Sequence, residues 1–163
     1  MVNFPYYLAR DGYAVSVMVH GTWVPTGCYW INPVTVDGHP MELSFATHPG
    51  VGTSSEATFA IPQGARQFDS DVALGDPLFD FADCGVWVCW GVKAPDGTVE
   101  FHESAWSAVL MGDNRYGRKQ SVSLAVPENA THIRLVAHSR RLVQDGRPDN
   151  AGAHVVWLKP LFR

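Results

Sequence analysis

The chain has little of what a nucleic-acid binder, a disulfide scaffold or a membrane span requires. Its 163 residues carry twelve Lys and Arg against sixteen Asp and Glu, a net charge of −4, and apart from Arg118-Lys119 and Arg140-Arg141 the cations are scattered. Without a basic footprint for a phosphate backbone, nucleic acid is not an expected partner. There are three cysteines, Cys28, Cys84 and Cys89, an odd number with no C-x-x-C and no zinc spacing. Neither a disulfide framework nor a metal knuckle is indicated, and all three read as buried thiols. No apolar run approaches the roughly 18 residues of a spanning helix, so membrane insertion is not expected. The N-terminal Met1-Val2-Asn3-Phe4-Pro5-Tyr6-Tyr7-Leu8-Ala9-Arg10 lacks the basic region and unbroken apolar core of an export signal. A cytoplasmic location is the expectation, while non-classical export or a place in a virion is compatible with the same lack. Reaction motifs are missing as well: no G-x-S-x-G, no H-E-x-x-H and no phosphate-binding glycine loop occurs.

What the chain does have is aromatic and apolar residue in short pieces. Hydrophobic residues make up 46% of it, with fifteen glycines and eleven prolines leaving few stretches long enough for a helix. A chain near this length can bury about 70% of its unfolded surface, enough for one domain with a real core. Tyr13 to His20, Tyr29 to Val36, Met41 to Thr47 and Glu56 to Ile61 read as strands, the last with Ala57, Phe59 and Ile61 facing inward. Pro62-Gln63-Gly64 is expected to turn that strand back into Ala65 to Leu74 as a hairpin. Gly85 to Val92 is apolar throughout, as for a central strand buried on both faces, with Trp87 and Trp90 as core residues. Pro95-Asp96-Gly97 turns it into Thr98 to His102. Ser107 to Met111, Ser121 to Val126 and Thr131 to Ala137 follow, and Ala153 to Phe162 closes the fold. About ten short strands between turn signals point to an all-β sandwich or barrel.

Several of these pieces stand in a telling order. Val36-Asp37-Gly38-His39-Pro40-Met41-Glu42-Leu43 comes first, then Gly50-Val51-Gly52-Thr53-Ser54-Ser55-Glu56 before the alternating strand. Gly75-Asp76, the apolar strand from Val86, the Asp96-Gly97 turn and Thr131-His132-Ile133-Arg134-Leu135-Val136 follow, and the chain ends in His154-x-x-Trp157-x-x-Pro160-x-Phe162. From Val34 to Phe162 this order resembles the NPCBM family of carbohydrate-binding modules. The sequence departs from the family pattern in two places: the His-Ala that follows the glycine pair is missing, with that segment two residues shorter, and the acidic positions flanking His154 are Ala153 and Val156 here. The resemblance implies an antiparallel β-sandwich of the jelly-roll, galactose-binding-like type, one domain across residues 1–163 with 1–33 as an extension of it. It also implies a non-catalytic, lectin-like module that recognises a sugar through loops at one end.

A sugar site needs aromatic faces for the C–H face of a pyranose and planar hydrogen-bonding groups for vicinal hydroxyls. Trp23, Tyr29 and Trp30 flank a Pro/Gly loop and Tyr116 sits in a polar one, so each could stack on a ligand or pack beneath its own loop. The polar loop Arg140 to Gly152 offers Arg141, Asp145, Arg147, Asp149 and Asn150, which could equally be solvated. His154 could donate to a ligand hydroxyl or to a backbone carbonyl. Asp69, Asp71, Asp76, Asp80 and Asp83 could supply oxygen ligands to a structural calcium, but their spacing is not an EF-hand, so no cofactor is expected and the metal question stays open. Glu100, His102 and Glu103 are the best acid/base cluster for an enzyme, on local clustering alone. The leading reading is a carbohydrate ligand. A protein-interaction or assembly module on the same scaffold is the alternative, a small enzyme the third choice, and a homo-oligomer is compatible with any of them.

Overall fold

The computed structural model describes residues 2–3, 16–19, 22–25, 34–41, 44–49, 51–52, 54–75, 79–102, 107–113 and 118–163. Among them all regular structure is β, in fourteen strands: β1 (Val2–Asn3), β2 (Ser16–Val19), β3 (Thr22–Pro25), β4 (Val34–Val36), β5 (His39–Met41), β6 (Ser44–Thr47), β7 (Ser54–Ala60), β8 (Gln67–Leu74), β9 (Asp83–Lys93), β10 (Val99–His102), β11 (Ala108–Met111), β12 (Lys119–Ala125), β13 (His132–Ser139) and β14 (Val155–Phe162). They form two antiparallel sheets and one small hairpin. In the first sheet β14 is flanked by β1 and β6 on one edge and β8 on the other, with β12 beyond β8. In the second, β10 and β11 share one edge of β9, and β13, β7, β2 and β3 follow on the other. This is the expected β-sandwich.

Alternation decides which side chains enter the layer between the sheets. Along β7 buried positions alternate with partly exposed ones, and Ala57 and Phe59 point inward as expected. From the β9 sheet come Val86, Val88, Ile133 and Leu135, and from the β14 sheet Phe68, Val72, Val155, Trp157 and Phe162. Phe68 and Phe162 face each other across β8 and β14 with ring centroids 5.3 Å apart, edge to face. Strand β9 is central, paired on both edges. Its tryptophans depart from expectation: Trp87 and Trp90 are half-buried, and Trp90 stacks on His102 at 3.8 Å. Cys84 and Cys89 are both buried on this strand, too far apart along it for a disulfide to each other. Burial pushes the Cys84 thiol up to about 12, with the Asp83 carboxylate adding to the effect, so it is no nucleophile near neutral pH.

A second correction concerns the chain path. Strands β7 and β8 do not pair; β7 lies in the β9 sheet and β8 in the β14 sheet, so Pro62-Gln63-Gly64 carries the chain across the sandwich. The amides of Arg66 and Gln67 donate to the Arg163 carbonyl, at 2.6 and 3.0 Å, instead of to a hairpin partner.

The β4–β5 hairpin turns through Asp37 and Gly38, both at positive φ (51° and 76°), as a two-residue primed turn demands. Its Val36 joins Ala46, Ala73, Val156 and Leu158 in a small apolar cluster on the outer side of the β14 sheet. Further along β14 the register to β8 slips between Leu158 and Leu161. Lys159 sits in that bulge at φ 45°, directly before Pro160. A bulky residue there costs about 1–3 kcal/mol, and a residue preceding proline is normally extended.

Candidate functional site

Three connections meet at one end of the sandwich: residues 48, 49, 51 and 52 after β6, 79–82 before β9, and 140–152 between β13 and β14. The last is not the open loop that its polarity suggests. Leu142 bridges Pro148 antiparallel, the Val143 amide donates to the Arg147 carbonyl (3.0 Å) and the Asp149 amide to that of Arg141 (3.0 Å). Gly146, at φ 79°, supplies the turn that closes this miniature hairpin. Its tip is tied by Arg147 Nε donating to Asp145 Oδ2 at 2.6 Å, and its base by Arg141 Nε donating to Asp149 Oδ2 at 2.5 Å. Asn150 Nδ2 donates to the Pro49 carbonyl at 2.9 Å, anchoring the hairpin to the connection after β6. Burial raises the Asp149 carboxyl, but hydrogen bonds from Arg141 and the Ala151 amide outweigh it and hold the group below its ordinary value.

Against this hairpin runs a row of rings. The Arg141 guanidinium lies 4.0 Å over the Phe81 ring and donates from Nη1 to the Phe81 carbonyl at 3.2 Å. Phe81 stacks on Phe79 (5.1 Å, 28°), Phe79 meets His154 edge-on (6.1 Å), and His154 lies 5.1 Å from His48. Small residues make the row fit. A Cβ on Gly112 would fall 1.9 Å from the Phe79 carbonyl oxygen, and one on Gly152 would meet Phe79 Cβ at 3.0 Å. Arg118 braces the same corner, donating from Nε to the Gly112 carbonyl at 2.8 Å and approaching Asp80 at 3.5 Å. Phe81 remains 46% exposed, and Val51 and Leu142 on the adjoining loops are 55% and 62% exposed. An exposed ring rim, flanking apolar groups and a fixed guanidinium suit the mixed apolar and hydroxylated surface of a small polar ligand.

The sequence candidates divide accordingly. Arg141, Asp149, Asn150 and His154 converge here, with Arg141 against the exposed ring. Asp145 and Arg147 bind each other at the exposed hairpin tip. Trp23 is placed by its backbone in β3, opposite Met18, and Tyr29, Trp30 and Tyr116 lie outside the described residues. Glu100 and His102 share the exposed face of β10, His102 against Trp90, while Glu103 lies outside the described residues. Among the described residues no three His, Cys, Asp or Glu side chains converge as a metal site needs. Asp80 and Asp83 face Arg118 and Arg140. Asp69 and Asp71 stand on β8, and Asp76 lies outside the described residues.

No family model matches the chain, and no curated protein matches it. Solved structures do. A CBM51 module from Clostridium perfringens GH95, solved in complex with methyl-galactose, is 15% identical and superposes with a TM-score of 0.50, over 94% of this chain and 82% of that one. The two share the β-sandwich fold. A CBM51-2 and INT structure from Clostridium perfringens ZmpB, in complex with GlcNAc, is 21% identical with a TM-score of 0.47, over 80% of this chain. The match spans about a quarter, 24%, of that longer chain. The enzymatically active domain of tailspike protein 4 from bacteriophage CBA120 is 10% identical with a TM-score of 0.43, over 99% of this chain and 21% of that one.

Phe79, Phe81 and His48 were not singled out by sequence reasoning. Two phenylalanines one residue apart in a loop have no periodicity to announce them. The available signal was Phe79-Asp80-Phe81 following Gly75-Asp76-Pro77, because large aromatics in a turn-rich stretch need either a core or a ligand to cover them.

Proposed function

We propose that this chain is a non-catalytic carbohydrate-binding module of NPCBM-like descent that takes a sugar at the Phe81 end of the sandwich. The observation that carries the reading is the pairing of a half-exposed aromatic ring with a guanidinium fixed over it. The Phe81 rim meets the apolar face of a pyranose. Arg141 donates to its hydroxyls while Asp149 holds the guanidinium in place. The NPCBM resemblance and the fold shared with a module solved with methyl-galactose support the same class of ligand. Asn150 and His154 act as positioning residues for the loops. Titration calorimetry with methyl-galactose and N-acetylglucosamine, followed by a glycan array, tests this. Millimolar or tighter binding of a sugar is expected, and a blank array with no heat at millimolar sugar overturns it.

One observation favours an assembly module as second reading. Val51, Phe81 and Leu142 together expose apolar surface at a single end, and such patches also serve protein contacts. A concentration-dependent dimer whose interface covers Phe81 and excludes sugar would replace the first reading with this one.

A further inference from the structure

A second surface, sharing no lining residue with the Phe81 loops, has the form of a ligand site. On the outer face of the β14 sheet, beside the small Val36 and Leu158 cluster, β8, β12 and β14 enclose an open groove of about 490 Å³, lined among others by Asp69, Asp71, Ser121, Ser123, Lys159 and Arg163. That volume falls within the roughly 300–1,000 Å³ of small-molecule sites.

The floor of the groove is a preassembled polar array. Asp69 Oδ1 accepts from Gln67 Nε2 and Ser123 Oγ, both at 2.8 Å, and Asp71 Oδ1 accepts from Ser121 Oγ at 2.6 Å. Arg163 Nε reaches Asp69 Oδ2 at 3.1 Å and Lys119 Nζ reaches Asp71 Oδ2 at 3.1 Å. Burial raises the Asp71 carboxyl, yet the Ser121 and Lys119 hydrogen bonds with the charges of Lys119 and Lys159 bring it below its ordinary value, so the acceptor is ionised at neutral pH. Of the two cations lining the groove, Arg163 pairs with Asp69, whereas Lys159 has no ion-pair partner among the described residues.

Lys159 is also the strained residue of the strand, at φ 45° before Pro160. Glycine would hold that conformation without cost, and the position nevertheless carries a lysine. Strain retained at a groove-lining cation is what a ligand-directed role leaves behind. The occupant follows from the lining. Among the described residues lining it there is no aromatic ring, so a neutral sugar has nothing there to stack on. Ionised carboxylates and serines offer acceptors and donors to vicinal hydroxyls, and Lys159 with the outer nitrogens of Arg163 offers donors to an anion.

We propose that this groove binds an acidic saccharide, with Lys159 and Arg163 on the carboxylate of a uronic acid unit and Asp69, Asp71 and Ser121 on its hydroxyls. The site is independent of the one assigned to the Phe81 end.

The test uses digalacturonate and its neutral counterpart galactobiose, titrated by calorimetry into the full chain and into Lys159→Gly, Arg163→Gln and Phe81→Ala. Lys159→Gly removes the cation and relieves the backbone, so its thermal midpoint should equal or exceed that of the parent while digalacturonate affinity falls at least tenfold. Arg163→Gln should show a similar fall and Phe81→Ala none. Binding should weaken steeply between about 0.05 and 0.5 M salt, as the Debye length shortens. Equal affinity for galactobiose, affinity within twofold in Lys159→Gly, loss in Phe81→Ala, or no digalacturonate heat at millimolar concentration would each overturn the proposal.

Discussion

Arg141 and Phe81 hold each other in place: the guanidinium lies 4.0 Å over the ring while its Nη1 donates to the same residue's carbonyl at 3.2 Å. The ring's loop and the hairpin that carries the arginine are therefore positioned together. Phe81→Ala should cost modest stability, about 1–2 kcal/mol for the lost cation–π contact and the Phe79 stacking together, because the ring is already half in water. Sugar affinity should fall at least tenfold, read by calorimetry, and Phe81→Trp should restore it.

Arg141→Lys keeps the charge and loses the planar fork that reaches Asp149 and the Phe81 carbonyl together. A charge-assisted hydrogen bond contributes about 1.5–3 kcal/mol, so sugar affinity should drop by roughly tenfold or more. An unchanged dissociation constant would remove Arg141 from the site.

Acid should loosen the hairpin at a defined point. The folded-state pKa of Asp149 lies below the ordinary 3.8. Its contribution to stability is then fully present above 3.8 and is lost as pH falls through the folded value. Melting curves of the parent and Asp149→Asn should differ by a constant amount from about pH 5 to 8 and draw together as the pH falls below 3.8 and through the folded value.

Gly112 is required by packing alone, since a methyl there would fall 1.9 Å from the Phe79 carbonyl oxygen. Gly112→Ala should destabilise by about 1–3 kcal/mol and weaken sugar binding by displacing the Phe79 and Phe81 loop. Gly146→Ala meets open space but a positive φ of 79°. It should cost roughly 1 kcal/mol and leave the ring row intact, which chemical denaturation and calorimetry together can separate.

Trp157 is 0% exposed between the sheets. Trp157→Ala should lose about 3–5 kcal/mol in urea denaturation.

The strands were legible because burial writes itself into spacing: Ala57 and Phe59 alternate with polar neighbours, and Val86 to Val92 lacks alternation because one face of β9 carries Val86 and Val88 into the core and the other, carrying Trp87 and Cys89, is also largely covered. The Asp37-Gly38 turn was legible for a similar reason, both central residues needing positive φ. Sheet membership was not. Pro62-Gln63-Gly64 reads as a turn whether the chain folds back in one sheet or crosses to the other, and local chemistry does not distinguish the two. The candidate site was half legible. Polarity pointed to Arg141 and Asp149, but the same polarity hid that Asp145 and Arg147 answer each other, and the rings that complete the site come from loops far away in sequence.

Strand β14 joins β6, β8 and β1, pairing Val2 with Phe162 across nearly the whole chain. Such contacts give a high contact order, and the chain should fold in milliseconds to seconds rather than microseconds. During synthesis β1, β6 and β8 must wait with open edges until β14 emerges. A stall or truncation before Val155 leaves adhesive strand edges, so the shortened chain should aggregate instead of persisting as a smaller sandwich.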